Sequence, residues 1–409
     1  MYTYLFGKKY LPHRSMLALV LGVVAGIFFY DFSIWVAPFG TAFMNLIKML
    51  IVPVVFFSLS SGIAMIGDVN RLKRIGVKII VVYVIMTVLA CLIGILVVHI
   101  FDPGAGFDTS TLTAFDASKV TTPSFSAFLL DMIPTNIIDA MAKSDIMKMV
   151  FFTVILGVSL VLLGDKVKIF TDFMNAGATL TYKMLDIVMI YSPIGIFALM
   201  ANVTAVYGSQ LFSNLAKFVI TDWTGCLLIW LSFSLVPKFY TGINYFGLCR
   251  EMTPIWCNTL ATTSSSGTIP ITMEATQRLK LPASLCSFSI PLGATINLSG
   301  AALYKTILAF FVAQIYGLTL TPAQIIMVIT ISTLMSIAAP GIPCGGIITG
   351  AIFLNLLSLP MDMMGPIAGM YRLIDMAHTT VNVSGDVLGT MLVAKNENIW
   401  SGEEYNRSK

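Results

Sequence analysis

The sequence predicts an all-α polytopic membrane protein with eight transmembrane helices and two opposed re-entrant helical hairpins. The first observation is composition: the 409 residues are 57% hydrophobic and only 11% charged. A soluble domain carries about 25% charged residues, so most of this surface must face lipid. The second is a series of apolar stretches of transmembrane length. The third is a pair of longer apolar regions, each interrupted near its middle.

A transmembrane helix takes roughly 20 apolar residues. The eight stretches that meet this length are 16–37, 42–66, 76–101, 145–164, 172–205, 211–237, 284–315 and 361–394. The two interrupted regions are 247–279, broken at Thr262–Pro270, and 321–358, broken at Ala338–Gly346. Polar or Pro/Gly-rich breaks stop a helix at membrane depth, because the backbone groups there lose their partners.

Charge predicts the sides of the membrane, because Lys and Arg concentrate in cytoplasmic loops. The N-terminus and residues 71–78 are basic and are expected inside, whereas loop 102–125 is mostly acidic and is expected outside. Basic residues flank both ends of the first interrupted region, and none occurs from Thr306 to Tyr371. The two hairpins therefore enter from opposite faces, which suggests an inverted repeat with both termini cytoplasmic. Short kinked helices in a channel vestibule are the alternative.

The net charge of +4 lies mostly at span edges, so we expect no nucleic-acid partner. The six cysteines are scattered without metal-ligand or disulfide spacing. The basic N-terminus leads into an apolar stretch without a cleavage site, which predicts a retained first helix. We expect an integral protein of a prokaryotic plasma membrane, surrounded by lipid.

Two polar segments interrupt the apolar regions where a solute can bind. The run Ser264–Thr268 presents hydroxyls and backbone N–H groups at the start of a half-helix, which suits a carboxylate. The segment Gly293–Gly300 contains an asparagine and small residues that would let the helix unwind and expose carbonyl oxygens to sodium. Close helix packing on small residues is the alternative for this second segment.

The last predicted helix carries the densest polar face. Ionisable residues inside a span are costly and usually functional. Residues spaced i, i+4, i+7 and i+11 share one face, and here they are Asp375, Thr379, Asn382 and Asp386. Asp375 can pair with a ligand ammonium, and Asp386 can ligate a cation. His378 lies beside this face, and a structural polar seam between helices is the alternative reading.

Lys305 is a further intramembrane charge. It can pair with an acidic neighbour, extend its ammonium to the interface, or act as a fixed internal cation, and the sequence does not distinguish these roles. Asp222 is interpreted as structural.

Several motifs occur in one order and together resemble the dicarboxylate/amino acid:cation symporters, the family of the excitatory amino acid transporters and archaeal glutamate transporter homologues. They are the SSSGT tip, PLGATIN on the next helix, the Pro/Gly-rich second hairpin, NVSGD on the last helix, Ile133–Asn136 and Ser192–Ala198. The resemblance covers nearly the whole chain.

The resemblance implies a homotrimer in which a transport domain moves like an elevator against a static scaffold. The scaffold would comprise residues 1–75 and the loop and helices of 102–205. The transport domain would comprise 76–101 and 206–394, with the second hairpin as outer gate. Residues 395–409 would form a cytoplasmic tail, which we expect to be mobile.

The family pattern also implies roles for single residues. The implied substrate-binding residues are Ser265, Ser266, Ala301, Gly341, Asp375, His378, Thr379 and Asn382. The two serines would contact the substrate carboxylate, and Asp375 would bind its amino group. The implied ligands of one sodium site are Asn297, Asn382 and Asp386, whereas Thr295 and carbonyls of the second hairpin would help to form another. No cofactor is expected besides coupling ions, which are sodium or protons.

Two departures from the family pattern concern the substrate. His378 stands where acidic-substrate members have an arginine, and Ala301 stands where they have a threonine. An arginine fork binds a carboxylate in a way that a neutral histidine does not, whereas Asp375 favours an amino acid over a plain dicarboxylate. The sequence therefore favours a neutral or polar amino acid, with an acidic one accepted through protonated His378 as the alternative.

A third departure concerns a further sodium site. Tyr83 and Thr87 match its pattern, but Met86 replaces a threonine and Ser299 replaces an aspartate. A thioether and a serine are poor replacements for oxygen and carboxylate ligands of a hard cation. We therefore expect this site to be weak or absent, with Lys305 as a possible internal substitute for the missing charge.

Two other classes of function remain as alternatives. A channel would explain the hairpins but not a set of amino-acid ligands on one face. An intramembrane enzyme would need a nucleophile and base beside an oxyanion site, and Ser266 and His378 already have transport roles. We expect no enzymatic activity.

Overall fold

A computed structural model describes residues 11–64, 69–107, 130, 133–143, 145–338 and 345–407. Every regular element in these ranges is helical. The helices of the first half are α1 (Leu11–Phe28), α2 (Tyr30–Met49), α3 (Ile51–Ala64), α4 (Val69–Phe101), α5 (Ile137–Ala142), α6 (Ile146–Leu163) and α7 (Lys168–Ile190). Those of the second half are α8 (Ser192–Thr241), α9 (Tyr245–Thr262), α10 (Ser265–Arg278), α11 (Ala283–Ile296), α12 (Ser299–Ile315), α13 (Pro322–Ala338), α14 (Gly345–Leu356), α15 (Met364–Asn396) and α16 (Gly402–Arg407). A short 3₁₀ helix, Gly164–Val167, joins α6 to α7.

Three helical segments of the described ranges are long and apolar enough to cross a membrane: Ile75–Phe101, Ser213–Thr241 and Phe288–Ile315. Shorter apolar helical segments are Leu17–Phe28, Ser192–Val206, Pro322–Ile337 and Gly345–Leu356. The predicted number of eight spans, and the division into scaffold and transport regions, stay predictions.

Helix boundaries differ from the predicted spans 172–205 and 211–237. The chain breaks at Tyr191 instead, so that α7 ends early and α8 runs for 50 residues. Pro193 lies in the first turn of α8, where its fixed φ and missing N–H suit a helix start. At 1.5 Å per residue α8 is about 75 Å long, far longer than the roughly 30 Å hydrocarbon core.

The first interrupted region folds into a hairpin of α9 and α10. The helical conformation stops only at Thr263 and Ser264, and Thr263 adopts the left-handed conformation (φ 51°). Asn258 Nδ2 donates to Thr268 Oγ1 across the turn at 2.8 Å. These two residues are each five positions from Thr263, so the arms run antiparallel. The observed break is therefore narrower than the one predicted at Thr262–Pro270, because α10 begins at Ser265 and continues through Pro270.

The second interrupted region supplies α13 and α14, which contact each other. Its predicted turn lies mostly in residues 339–344, outside the described residues. Gly346 and Gly350 of α14 pack on the hydroxyl ends of Tyr371 and Tyr304, where an added Cβ would lie 1.7 and 2.8 Å from the tyrosine oxygens. These glycines allow α14 to approach α12 and α15 closely.

The core is centred on α12, in which almost every residue is buried. Helix α12 contacts α4, α8, α13, α14 and α15. Helix α12, which carries the intramembrane Lys305, is thus surrounded by other helices. Its polar groups must therefore find partners inside the protein.

The C-terminal tail packs against the protein as far as Arg407, contrary to the expectation of mobility. Trp400 and Tyr405 are buried, and Trp400 Nε1 donates to the carbonyl of Leu279 at 3.0 Å. Tyr405 Oη donates to Glu251 at 3.3 Å, and Glu251 also pairs with Arg278. Two aromatic side chains thus anchor the tail to the base of the first hairpin, an interaction that a polar composition does not reveal.

Candidate functional site

The site is built around a break between α11 and α12. Asn297 and Leu298 leave the helical conformation, with φ/ψ of −95°/64° and −96°/56°. This confirms the expectation that Gly293–Gly300 unwinds. The break frees backbone groups at the centre of the protein, where side chains of α15 meet them.

Three hydrogen bonds join this break to α15. Asn297 Nδ2 donates to Asp386 Oδ1 at 2.9 Å and to the Asn382 carbonyl at 3.2 Å. The backbone N–H of Gly300 donates to Asn382 Oδ1 at 2.7 Å. The predicted sodium ligands Asn297, Asn382 and Asp386 are therefore brought together.

Asp386 has the chemistry of the cation ligand that the sequence predicts. Its side chain is 1% exposed, and no ion pair involving it occurs in the described part of the chain. A buried carboxylate is costly unless it is paired or binds a cation, so a small cation among these oxygens would neutralise it. Thr295 is half-buried and donates to the Leu292 carbonyl at 2.8 Å, away from the Asn297–Asp386 bond.

The predicted weaker sodium site lies on α4 beside this centre. Thr87 Oγ1 donates to the carbonyl of Tyr83 at 2.8 Å, and Tyr83 Oη contacts the carbonyls of Ser289 and Asp386. Ser299 Oγ donates to Asn297 Oδ1 at 3.0 Å. Met86 Cε lies 3.2 Å from where a Cβ on Gly385 would stand, so the methyl end of Met86 packs against α15.

The first hairpin tip lies against α15. Arg372 Nη1 donates to Thr263 Oγ1 at 2.5 Å, and two further side-chain bonds align the arm with α15: Thr259 with Thr380 at 2.9 Å, and Trp256 with Ser384 at 3.0 Å. Ser264 Oγ caps α10 by accepting from Gly267 N at 3.0 Å. The backbone N–H groups of Ser265 and Ser266 begin α10 and have no acceptor within their own helix.

The remaining α15 residues of the predicted substrate face, Asp375, Thr379 and Asn382, are all buried. They stand one to three turns from the contact between Arg372 and the hairpin tip. Gly341 lies outside the described residues, and the role implied for it stays a prediction.

His378 is held by an acidic residue that the sequence pattern did not assign to the site. Its Nε2 lies 2.8 Å from Asp222 Oδ1, and both side chains are almost fully buried. Cys226, one turn along α8, directs its Sγ to Asp222 Oδ2 at 3.9 Å. Asp222 therefore contacts His378 across the helix interface and fixes the orientation of its imidazole ring.

An aromatic layer encloses the other side of His378. The rings of Tyr304 and Tyr371 lie 5.5 and 6.2 Å from the imidazole. Tyr304 Oη and His378 Nδ1 are buried without a hydrogen-bond partner in the described ranges. Buried polar atoms without a partner are ready to bind a polar group of a ligand or water.

Lys305 is completely buried, and its Nζ donates to the Ala301 carbonyl at 2.9 Å. No acidic partner is found for it among the described residues, and its complete burial argues against extension to the membrane interface. Its role as an internal cation stays a prediction. The Ala301 side chain adds no oxygen at this point.

Arg372 and Asp222 are the residues that sequence reasoning missed. The sequence argument began the polar face of the last helix at Asp375 and assigned no role to Arg372, although Arg372 continues that face one turn towards the N-terminus. Asp222 belongs to a helix without a recognisable motif, and only the fold brings it to His378.

Comparisons with known proteins match this chain to one family of membrane transporters. The sodium:dicarboxylate symporter family model matches residues 11–396. A protein of Bacillus subtilis (strain 168) named "Proton/glutamate-aspartate symporter" is 31% identical over 404 residues, covering 97% of each chain. A "Proton/sodium-glutamate symport protein" of Geobacillus stearothermophilus is 30% identical over 410 residues, 98% of this chain and 96% of the relative. A "C4-dicarboxylate transport protein" of Bacillus subtilis (strain 168) is 31% identical over 397 residues, 95% of this chain and 94% of the relative.

The broken helix, the polar face of α15 and the match over most of the chain agree with the resemblance seen in the sequence. This protein is a polytopic, all-α membrane transporter that belongs to the sodium:dicarboxylate symporter family.

Proposed function

We propose that this protein is a cation-coupled symporter of an acidic amino acid, glutamate or aspartate. The observation that carries the proposal is the junction of the α11–α12 break with α15. There Asn382 contacts the broken helix twice, and Asn297 contacts the buried Asp386. The junction supports a site for a small cation on the helix that also carries Asp375, whose carboxylate suits an ammonium group.

The acidic substrate is the alternative of the sequence argument, and it now replaces the neutral amino acid as the better-supported reading. Two of the relatives described above are named for glutamate transport. The contact of His378 with Asp222 occupies Nε2 and leaves Nδ1 as the ring nitrogen that can meet a ligand. Protonated His378, which the acidic reading requires, would donate through Nδ1 to a side-chain carboxylate.

A neutral or polar amino acid is the second candidate. The observation in its favour is that the charges of Asp222 and protonated His378 cancel. A neutral pair leaves only a hydrogen-bonding Nδ1, which can serve a hydroxyl as well as a carboxylate. The absence of a side-chain oxygen at Ala301 also favours a neutral or polar amino acid over an acidic one.

The coupling cation is sodium, protons or both, as the names of the relatives suggest. We further propose a prokaryotic plasma-membrane location with cytoplasmic termini and a homotrimer that works as an elevator. The support for these points is the basic cytoplasmic pattern of the sequence and the family resemblance.

The test is uptake of radiolabelled aspartate, glutamate and serine into proteoliposomes, with sodium or choline outside, at neutral and mildly acidic pH. Concentrative, saturable uptake of aspartate or glutamate that depends on the cation gradient is expected. His378→Gln should weaken acidic substrates more than serine. Serine uptake that excess aspartate does not inhibit would reject the acidic substrate, and non-saturating flux would instead indicate a channel.

A further inference from the structure

Asp222, Cys226 and His378 form a buried cluster of metal-ligating side chains between α8 and α15. Asp222 and Cys226 are four positions apart, which places both on one face of α8. His378 meets them from α15. The exposed fractions of the three residues are 0%, 3% and 1% in this order, so the cluster is closed off from bulk solvent.

The three side chains are close enough to share one ion. Each offers one ligand atom, and these atoms all lie within 4.8 Å of one another. The Asp222 carboxylate stands between the other two, because its Oδ1 is 2.8 Å from His378 Nε2 and its Oδ2 is 3.9 Å from Cys226 Sγ. Ligands of a tetrahedral zinc ion lie about 2.0–2.3 Å from the metal and therefore about 3.4–3.7 Å from each other. Side-chain movements of about 0.5 Å would let the cluster surround such an ion.

The types of ligand select a transition metal. A thiolate and an imidazole suit Zn²⁺ and similar ions, whereas hard cations prefer sites made only of oxygen. Two ligands four positions apart on one helix also follow the spacing of the histidine pair in the HExxH zinc motif. The cluster thus differs in chemistry from the oxygen-lined surroundings of Asp386.

Charge favours a divalent ion at this location. A metal ion binds cysteine as the thiolate and histidine as the neutral imidazole, so the thiol proton is released on binding. The carboxylate of Asp222 and the thiolate of Cys226 then balance the two positive charges of the ion. A neutral assembly suits a buried location, because uncompensated charge is costly there.

His378 Nδ1 is an independent sign that the cluster lacks a partner. This atom is buried without a hydrogen-bond partner among the described residues. An imidazole that binds a metal through Nε2 keeps its proton on Nδ1 and usually donates it to a carboxylate, a carbonyl or water. The ring thus directs one nitrogen into the cluster and leaves the other to donate to a water or a solute.

We propose that Asp222, Cys226 and His378 form a binding site for a divalent transition metal ion of the zinc type. The ion lies between the three ligand atoms, which hydrogen bonds otherwise join, and it links α8 to α15 at this level. Three protein ligands leave the fourth position of a tetrahedral ion to a water or a solute. The proposal does not rest on amino-acid transport, since every contact that supports it lies within the protein.

A hydrogen-bonded cluster without a metal is the alternative. Cys226 can donate to Asp222, which can also accept from His378. Cys226→Ser separates the two cases, because a hydroxyl keeps a donor for Asp222 but is a poor ligand for zinc. Cys91→Ser is the matched control, since Cys91 is also buried in a helix but its Sγ contacts the hydroxyl of Thr333.

The experiment measures binding of Zn²⁺ and Co²⁺ to the purified full-length protein in detergent, with no substrate present. Equilibrium dialysis gives the affinity and stoichiometry, and the absorption spectrum of the Co²⁺ form shows a thiolate-to-metal charge-transfer band if Cys226 is a ligand. We expect one Zn²⁺ per chain, this band, and a melting temperature raised by Zn²⁺, because an ion that binds only the folded state stabilises it. Cys226→Ser should lower the affinity at least tenfold and abolish the band, whereas Cys91→Ser should change neither.

Absence of Zn²⁺ binding by the wild type, or binding that Cys226→Ser leaves unchanged, would overturn the proposal. Melting temperatures without metal identify a variant that fails to fold, and Asp222→Asn then provides the comparison, with the same expected loss of affinity. Because no readout uses uptake, a wrong assignment of the transported solute would change none of these outcomes.

Discussion

Gly293 tests the cation site with a single methyl group. It lies in α11, and a Cβ at this position would stand 2.4 Å from Asp386 Oδ1 and 2.9 Å from Tyr83 Oη. Alanine is otherwise favoured over glycine in a helix by about 1 kcal/mol. A loss of transport in Gly293→Ala therefore reports the displaced carboxylate rather than a weakened helix.

The distance that the Asp386 carboxylate must move sets the expected loss of cation affinity. Ordinary van der Waals contact begins at 3.4 Å, so the Asp386 carboxylate must retreat by about 1 Å. Its bond from Asn297 Nδ2, now 2.9 Å, then exceeds hydrogen-bond length if the retreat follows that direction. A hydrogen bond to a charged group contributes about 1.5–3 kcal/mol, which corresponds to roughly a 10- to 100-fold loss of cation affinity.

The assay measures the concentration of sodium, and separately of protons, that gives half-maximal uptake at saturating substrate. Gly365→Ala is the matched control, because its Cβ meets only Leu199 Cδ2 at an ordinary 3.7 Å. We expect Gly293→Ala to raise the half-maximal concentration and Gly365→Ala to leave it unchanged. Unchanged cation dependence in Gly293→Ala, or equal losses in both variants, would refute this account of the site.

Further predictions concern the weaker sodium site, the first hairpin and the tail. Met86→Thr combined with Ser299→Asp should restore oxygen ligands, so uptake should depend more steeply on sodium concentration. Thr268→Val removes the 2.8 Å bond from Asn258 and should cost about 1 kcal/mol of stability, seen as a lower melting temperature. Trp400→Ala should cost about 3–5 kcal/mol and lower the melting temperature without changing the KM for substrate.

Each of these predictions has a contrary outcome. An unchanged sodium dependence in the double variant would show that the weaker site is already complete or lies elsewhere. A Thr268 variant with wild-type melting would show that the hairpin does not depend on its cross-turn bond. A Trp400 variant that melts like the wild type would show that the tail does not stabilise the fold.

The sequence predicted the helical class and the break at Asn297 for a physical reason. In lipid every backbone group must be satisfied internally, so long apolar stretches must be helical and polar interruptions mark functional breaks. The periodicity of one helix also placed Asp375, Thr379, Asn382 and Asp386 on one face. These inferences need only local information.

The partners across helices could not be predicted in this way. His378 and Asp222 are 156 positions apart, and Arg372 reaches Thr263 over 109 positions. A periodicity argument covers one helix at a time and does not show which helices meet. The packing of the tail could not be predicted for the same reason, because Trp400 is buried only where it meets the base of the first hairpin.

In the proposed symporter, Asn382 is the residue through which substrate and cation would influence each other. Its side-chain oxygen accepts from Gly300 N, while its backbone carbonyl accepts from Asn297, which also holds Asp386. A cation that pulls on Asp386 and Asn297 therefore acts on the same turn of α15 that presents Asn382 to the substrate. Coupling between two sites is reciprocal, so a substrate that fixes Asn382 must improve cation binding by the same factor. The short path through one amide explains how a symporter can bind both solutes together without a distant relay.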